Sequence, residues 1–152
     1  MKKLLIASII GSSFVASSAH AATANLLINA SVTGKCTITT APPTATLTID
    51  PSVAGPYTAT STFAYKCTKN FTPTTFTAGP GNNFAAGSNQ LKDASANFLN
   101  YAVAMPAAAP GNGFGAAAAV SAIIGVSVTT IDGQAAPASA TFTDTVLITV
   151  AP

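Results

Sequence analysis

Cys36 and Cys67 are the only two cysteines in the chain and its most reactive side chains. Thiols can coordinate a metal, attack an electrophile or close a loop. A zinc site needs further nitrogen, sulfur or oxygen ligands. A nucleophilic cysteine needs a base beside it. The one histidine, His20, falls in a segment that reads as removed. Beyond that segment the charged residues are Lys35, Lys66, Lys69 and Lys92 with Asp50, Asp93, Asp132 and Asp144. Arginine and glutamate are absent altogether. That excludes a Ser-His-Asp triad, a Cys-His pair and an imidazole metal site. The aspartates are widely separated, so no carboxylate pair is evident. The inventory describes a protein that is not an enzyme and needs no metal or other cofactor.

The composition narrows the class further. The 152 residues suffice for one ordinary domain. Only 7% are charged, against about 25% in an average soluble domain. No basic surface is available for phosphates, so nucleic acid is excluded as a partner.

The N-terminus reads as an export signal over residues 1–21. Met1-Lys2-Lys3 is a basic start, Leu4 to Val15 is an apolar run, and Ala19-His20-Ala21 is a small-x-small cleavage site. The run is too short to span a bilayer, which takes about 20 apolar residues. Ala116 to Val128 is also short, and Ser121, Gly125 and Ser127 interrupt it, so no membrane span is expected in the mature chain. Export places Cys36 and Cys67 in an oxidising compartment, where two cysteines read as one disulfide. The short lysine-led signal is bacterial in style. Asn29-Ala30-Ser31 and Asn70-Phe71-Thr72 therefore read as chance matches to a glycosylation pattern.

The elements that must position these residues read as strands. Apolar residues alternate with threonine or asparagine over Leu26–Thr33, Cys36–Thr40, Ala45–Asp50 and Thr58–Cys67. Further strands are expected over Thr74–Ala78, Phe98–Met105, Ala122–Ile131 and Thr141–Val150. Turn clusters separate them at Ala41-Pro42-Pro43, Gly55-Pro56, Gly79 to Asn83, Pro110 to Gly113 and Asp132-Gly133. Ala116 to Ala119 is expected to form at most one helical turn. Tyr57, after Gly55-Pro56, reads as an exposed turn aromatic, and Asp144 as a polar residue at a strand start. About six to eight short strands with such punctuation indicate an all-β sandwich. The first strand has no turn to fold it back, and the chain stops directly after its last and most regular strand. A spare strand at one end and a gap at the other suggest exchange between subunits.

Three stretches carry a family resemblance. They are Leu26-x-Ile28-x-Ala30-x-Val32 running into Cys36-Thr37-Ile38, Gln90-Leu91-Lys92 followed by Leu99 to Val103, and Ala138 to Val150 with its Phe142-x-Asp144-Thr145 core. Cys67, in Phe63-Ala64-Tyr65-Lys66-Cys67, stands where a second cysteine belongs. In this order they resemble the archaic chaperone–usher pilins, the group that includes spore coat protein U domains. Leu47-Thr48-Ile49-Asp50 departs from the family, which often has Phe-Gly there.

The resemblance implies an incomplete immunoglobulin-like sandwich lacking its last strand, completed by the N-terminal donor strand of a neighbouring subunit. Residues 22–34 would be the donor extension and 35–152 the pilin domain. Leu26, Ile28, Ala30 and Val32 would fill pockets in an acceptor groove walled by Phe142, Val146, Ile148 and Val150. The implied partners are identical subunits in a head-to-tail fibre, a periplasmic chaperone and an outer-membrane usher. The implied location is a cell-surface pilus reached through the periplasm, serving adhesion or biofilm formation. The competing reading is a secreted sandwich that binds a ligand or carbohydrate on its loops, or a non-pilus coat protein.

Overall fold

Threonine alternating with apolar residues builds the sheets. Side chains on a strand point to opposite faces in turn. One face of each strand can thus be greasy and the other hydroxylated. The computed structural model describes residues 23–138 and 141–152. The signal sequence expected over residues 1–21 lies outside the described residues, as do Ser139 and Ala140 of the C-terminal stretch. The chain divides into residues 1–31 and residues 32–152. In the first unit, Thr23 to Ser31 carry no regular structure, and all are exposed.

The second unit is all-β apart from one short helix. Its elements are β1 (Cys36–Thr40), β2 (Tyr57–Cys67), β3 (Thr75–Gly81), β4 (Asn89–Lys92), β5 (Phe98–Ala104), β6 (Val120–Val128), α1 (Thr130–Ala135) and β7 (Val146–Ala151). Five strands form one antiparallel sheet in the order β1-β2-β6-β5-β4, and β3 pairs with β7 in a second. The architecture is an incomplete immunoglobulin-like sandwich.

The longest ladder joins β2 to β6, from Tyr57 opposite Val128 to Tyr65 opposite Val120. On β2 the inward residues Tyr57, Phe63, Tyr65 and Cys67 are buried, whereas Thr58, Thr60 and Thr62 face out. Two buried clusters result. Phe63, Tyr65, Cys67, Ala122 and Ile124 form the first. Tyr57, Leu99, Tyr101 and Val128 form the second. Phe76 on β3 reaches the first cluster, with its ring centroid 5.8 Å from that of Phe63 and 5.3 Å from that of Tyr65. This is the range in which aromatic pairs attract.

Cys36 and Cys67 are directly opposite each other across β1 and β2, and they form the expected disulfide. Thr68 reinforces it. Its N–H donates to the Lys35 carbonyl at 2.9 Å, and its hydroxyl accepts from the Lys35 N–H at 3.0 Å.

Several local expectations are corrected. Ala45–Asp50 keeps its alternation, with Ala45, Leu47 and Ile49 half-buried, yet joins no ladder. β3 runs through Gly79-Pro80-Gly81, which reads as a turn, and bulges between Ala78 and Gly81. β6 ends at Val128 because Thr129 caps α1. The Thr129 hydroxyl accepts from the Asp132 N–H at 3.1 Å, a reciprocal cap hidden inside what reads as an Asp-Gly turn. Ala116–Ala119 contains a turn closed by the Ala118 N–H on Gly115, without a helix. Tyr57 is buried rather than exposed, because its ring packs against Gly133, where a Cβ would have no room. Its hydroxyl donates to the carbonyls of Val53 and Asp50, at 2.6 and 3.0 Å.

Replacing both cysteines by serine should lower the unfolding free energy by about 3–4 kcal/mol, the loop-closure value for a bridge of this span. Urea denaturation of the two proteins checks this. An unchanged midpoint would show that the bridge adds no stability.

Candidate strand-acceptor site

β7 lies between a partner and an open edge. On one side it pairs with β3, from Thr75 opposite Ala151 to Gly81 opposite Val146. On its other side it makes no ladder among the described residues. Val146, Ile148 and Val150 are half-buried on one face, and Leu147 on the other is 72% exposed. Val146 and Phe142 pack on the second buried cluster. Ile148 and Val150 pack on the first. The four residues expected to wall a groove therefore lie over the two buried clusters, two on each, and none of them is fully covered.

Leu47 and Ile49 share part of this core. They are half-buried on the same cluster as Phe142 and Val146, in the alternating segment that found no ladder. Their alternation was visible in the sequence. It signals a strand but cannot say which neighbour, if any, the strand will have.

Asp144 fixes the start of β7. Its Oδ1 accepts from the N–H groups of Thr145 at 2.8 Å and Asn83 at 3.1 Å, and from Asn83 Nδ2 at 3.3 Å. Its Oδ2 accepts from the Tyr101 hydroxyl at 2.7 Å. Gly81 sits so close to this carboxylate that a Cβ there could not be accommodated. Just before it, Thr143 and Lys92 exchange backbone hydrogen bonds of 3.0 Å. The long final strand expected from Thr141 thus begins at Val146, because Asp144 spends its carboxylate on holding the backbone before it. Phe142 lies outside the strand proper while keeping its place on the core.

The expected donor residues are apolar and uncovered. Leu26, Ile28 and Val32 are 82%, 78% and 81% exposed, and Ala30 is exposed as well. Soluble proteins rarely leave so many large aliphatic side chains in water side by side. The chain becomes anchored at Thr33, whose carbonyl accepts from the Thr68 hydroxyl at 3.2 Å. Gly34 follows, pressed against the Phe71 ring with no space for a Cβ.

Among the described residues no group of three or more His, Cys, Asp or Glu could hold a metal ion. No described helix is long and apolar enough to cross a membrane.

Burial, followed by the hydrogen bond and charge of Asp144, pushes the Tyr101 hydroxyl well above its ordinary pKa. The folded state then holds this proton more tightly than the unfolded one. The contribution to stability is complete below the unfolded value of about 10 and is lost as pH rises above it. Tyr101→Phe should remove that part of the alkaline loss while lowering stability at neutral pH, by about 1–3 kcal/mol for a carboxylate left short of a donor. Urea midpoints of both proteins from neutral pH upward test this. Parallel pH profiles would refute it.

A family model described as the spore coat protein U domain matches residues 22–149. No curated protein and no solved structure is significantly similar to the chain. The match spans almost all of the chain beyond residue 21, including the N-terminal apolar segment, both cysteines and most of β7. The chain accordingly belongs to the spore coat protein U domain family, a family of pilus-type structural subunits of chaperone–usher systems.

Proposed function

We propose that this protein is a structural subunit of a secreted surface pilus that polymerises by donor-strand exchange. The observation that carries the reading is the open edge of β7, with Val146, Ile148 and Val150 only half-covered. An edge of unpaired N–H and C=O groups beside apolar side chains is a template for another strand. Strand addition of this kind joins main-chain hydrogen bonds with pockets for alternate side chains.

The occupant is residues 22–34 of a neighbouring copy, docked on the domain formed by residues 35–152. Leu26, Ile28, Ala30 and Val32 supply one apolar face with the period of a strand. Leu47 and Ile49 rest on the same buried cluster as Phe142 and Val146. Burying Leu26, Ile28 and Val32 is worth about 1.5–3 kcal/mol each. Association costs about 4–15 kcal/mol in lost freedom. The pockets alone therefore roughly balance that cost, and the main-chain ladder decides the affinity. The donor's counterpart sits elsewhere on the chain, so the contact is head-to-tail and grows into a fibre.

Before assembly the same edge needs a cover. A periplasmic chaperone supplies it, and the outer-membrane usher exchanges it for the next subunit. The assembled fibre lies at the cell surface and serves adhesion or biofilm formation.

The test compares the full chain with a form lacking residues 22–33 and with Ile28→Asp, each co-expressed with and without the periplasmic chaperone. Unheated denaturing gels and negative-stain microscopy read the products. A ladder and fibres from the full chain alone, with chaperone-dependent recovery of all three, are expected. Fibres from Ile28→Asp, or a soluble folded monomer in every sample, would overturn the reading.

A further inference from the structure

A second open feature shares Tyr101 with the Asp144 anchor of β7. An open depression of about 410 Å³ lies among Phe84, Ser88, Asn89, Asn100, Thr129 and Asp132. Its size falls in the range of small-ligand sites, about 300–1,000 Å³.

One wall is the tight connection between β3 and β4. Ala85 and Ser88 exchange two backbone hydrogen bonds of 3.0 Å. The residues between them, Ala86 and Gly87, have φ of 51° and 82°. The left-handed region suits glycine but strains alanine by roughly 1–2 kcal/mol. Such strain tends to collect at functional sites. Phe84, at the base of this turn, is 49% exposed and joins neither buried cluster.

The other wall is a chain of polar side chains drawn from three elements. Thr129 donates its hydroxyl to Asp132 Oδ2 at 2.5 Å, and Asn100 Nδ2 donates to Asp132 Oδ1 at 3.2 Å. Gln90 Nε2 donates to Asn100 Oδ1 at 3.0 Å. These bonds hold the carboxylate and the amide in place before any ligand arrives. Asn89 uses its Oδ1 to accept from the Gly81 N–H at 2.8 Å. Its Nδ2 has no partner among the described residues and is open to solvent.

The chemistry of the lining selects a ligand class. No lysine lines the depression, so a phosphate or another anion has no cation to meet and faces the Asp132 carboxylate. The walls mix apolar surface from Phe84, Tyr101 and Ala102 with polar groups from Asn89, Asn100, Thr129 and Asp132, and the depression is open, which suits neither a purely apolar molecule nor an ion. A fixed carboxylate, amide donors and one half-exposed ring together match a molecule with many hydroxyls and an apolar C–H face.

We propose that this depression binds a neutral saccharide, with a pyranose ring stacked on Phe84, its hydroxyls donating to Asp132, and Asn89 Nδ2 donating to a sugar oxygen. The site does not depend on strand exchange, and it is present whether the chain is a fibre subunit or a monomer.

Saturation-transfer NMR on the full chain, as fibres or as monomer, tests this with the methyl glycosides of glucose, galactose, mannose and N-acetylglucosamine. Transfer to at least one glycoside is expected. Phe84→Ala and Asp132→Asn should each weaken it by about tenfold, or ~1.4 kcal/mol. Phe114→Ala, which removes another half-exposed ring outside the depression, should leave it unchanged. Phe84→Ala touches no core cluster, so it remains informative if Asp132→Asn disturbs α1. No transfer from any of the four at ~10 mM, a concentration that reveals millimolar affinity, would overturn the proposal. So would transfer that survives both substitutions.

Discussion

Among the described residues β7 has ladder partners on one side and none on the other, and much of the domain is arranged around that asymmetry. A buried N–H or C=O without a partner is costly. An apolar strand with one open edge is therefore stable only while its free edge faces water or another strand. Here the edge lies above the core itself. Val146 and Phe142 rest on one buried cluster, and Ile148 and Val150 on the other. The same side chains that close the bottom of the sandwich leave its side open.

Holding such a strand in register takes anchors beyond the single ladder to β3. Asp144 provides one, gathering donors from Thr145, Asn83 and Tyr101 just ahead of β7. The Lys92–Thr143 bridge provides another by tying this entry to the end of β4. At the far end of the domain the Cys36–Cys67 bridge, Thr68 and the Gly34–Phe71 contact secure β1 where the N-terminal segment leaves. On the strand-exchange proposal these two anchored regions have complementary tasks. One keeps the acceptor edge straight, and the other keeps the donor tethered close to a rigid body.

Scarcity of charge gives the polar clusters that do exist more weight. Asp93, Asp132 and Asp144 each organise backbone or side-chain donors around a loop or strand end. The Asp132 carboxylate itself lines an open depression with a half-exposed aromatic on its rim. Asp144 completes its bonds inside the fold. A network that is satisfied internally stabilises the domain, and one that also borders an open hollow has a side from which a ligand can reach it.

Strand identity was legible because threonine alternates with apolar residues so consistently. Thr58–Cys67 and Phe98–Met105 were placed to within a residue or so, and the disulfide followed from export and cysteine count. Beyond residue 21 the sequence holds no histidine, arginine or glutamate, which narrowed the chemistry that could be expected of it. Phe142, Val146, Ile148 and Val150 could be grouped from the period-two pattern they share. Their neighbours could not, because period-two alternation records which side chains face inward and is silent about pairing. Leu47 and Ile49 have as regular a pattern as β2, yet tertiary packing gives them a core contact without a ladder. Tyr57 is buried only because Gly133, far along the chain, leaves room for its ring. From Phe84 through Asn89 and Asn100 to Asp132 the chain runs through three strands, β4, β5 and β6, and no local pattern links these residues. Local alternation follows from backbone geometry and is written residue by residue. Open edges and shared hollows arise only when distant segments meet.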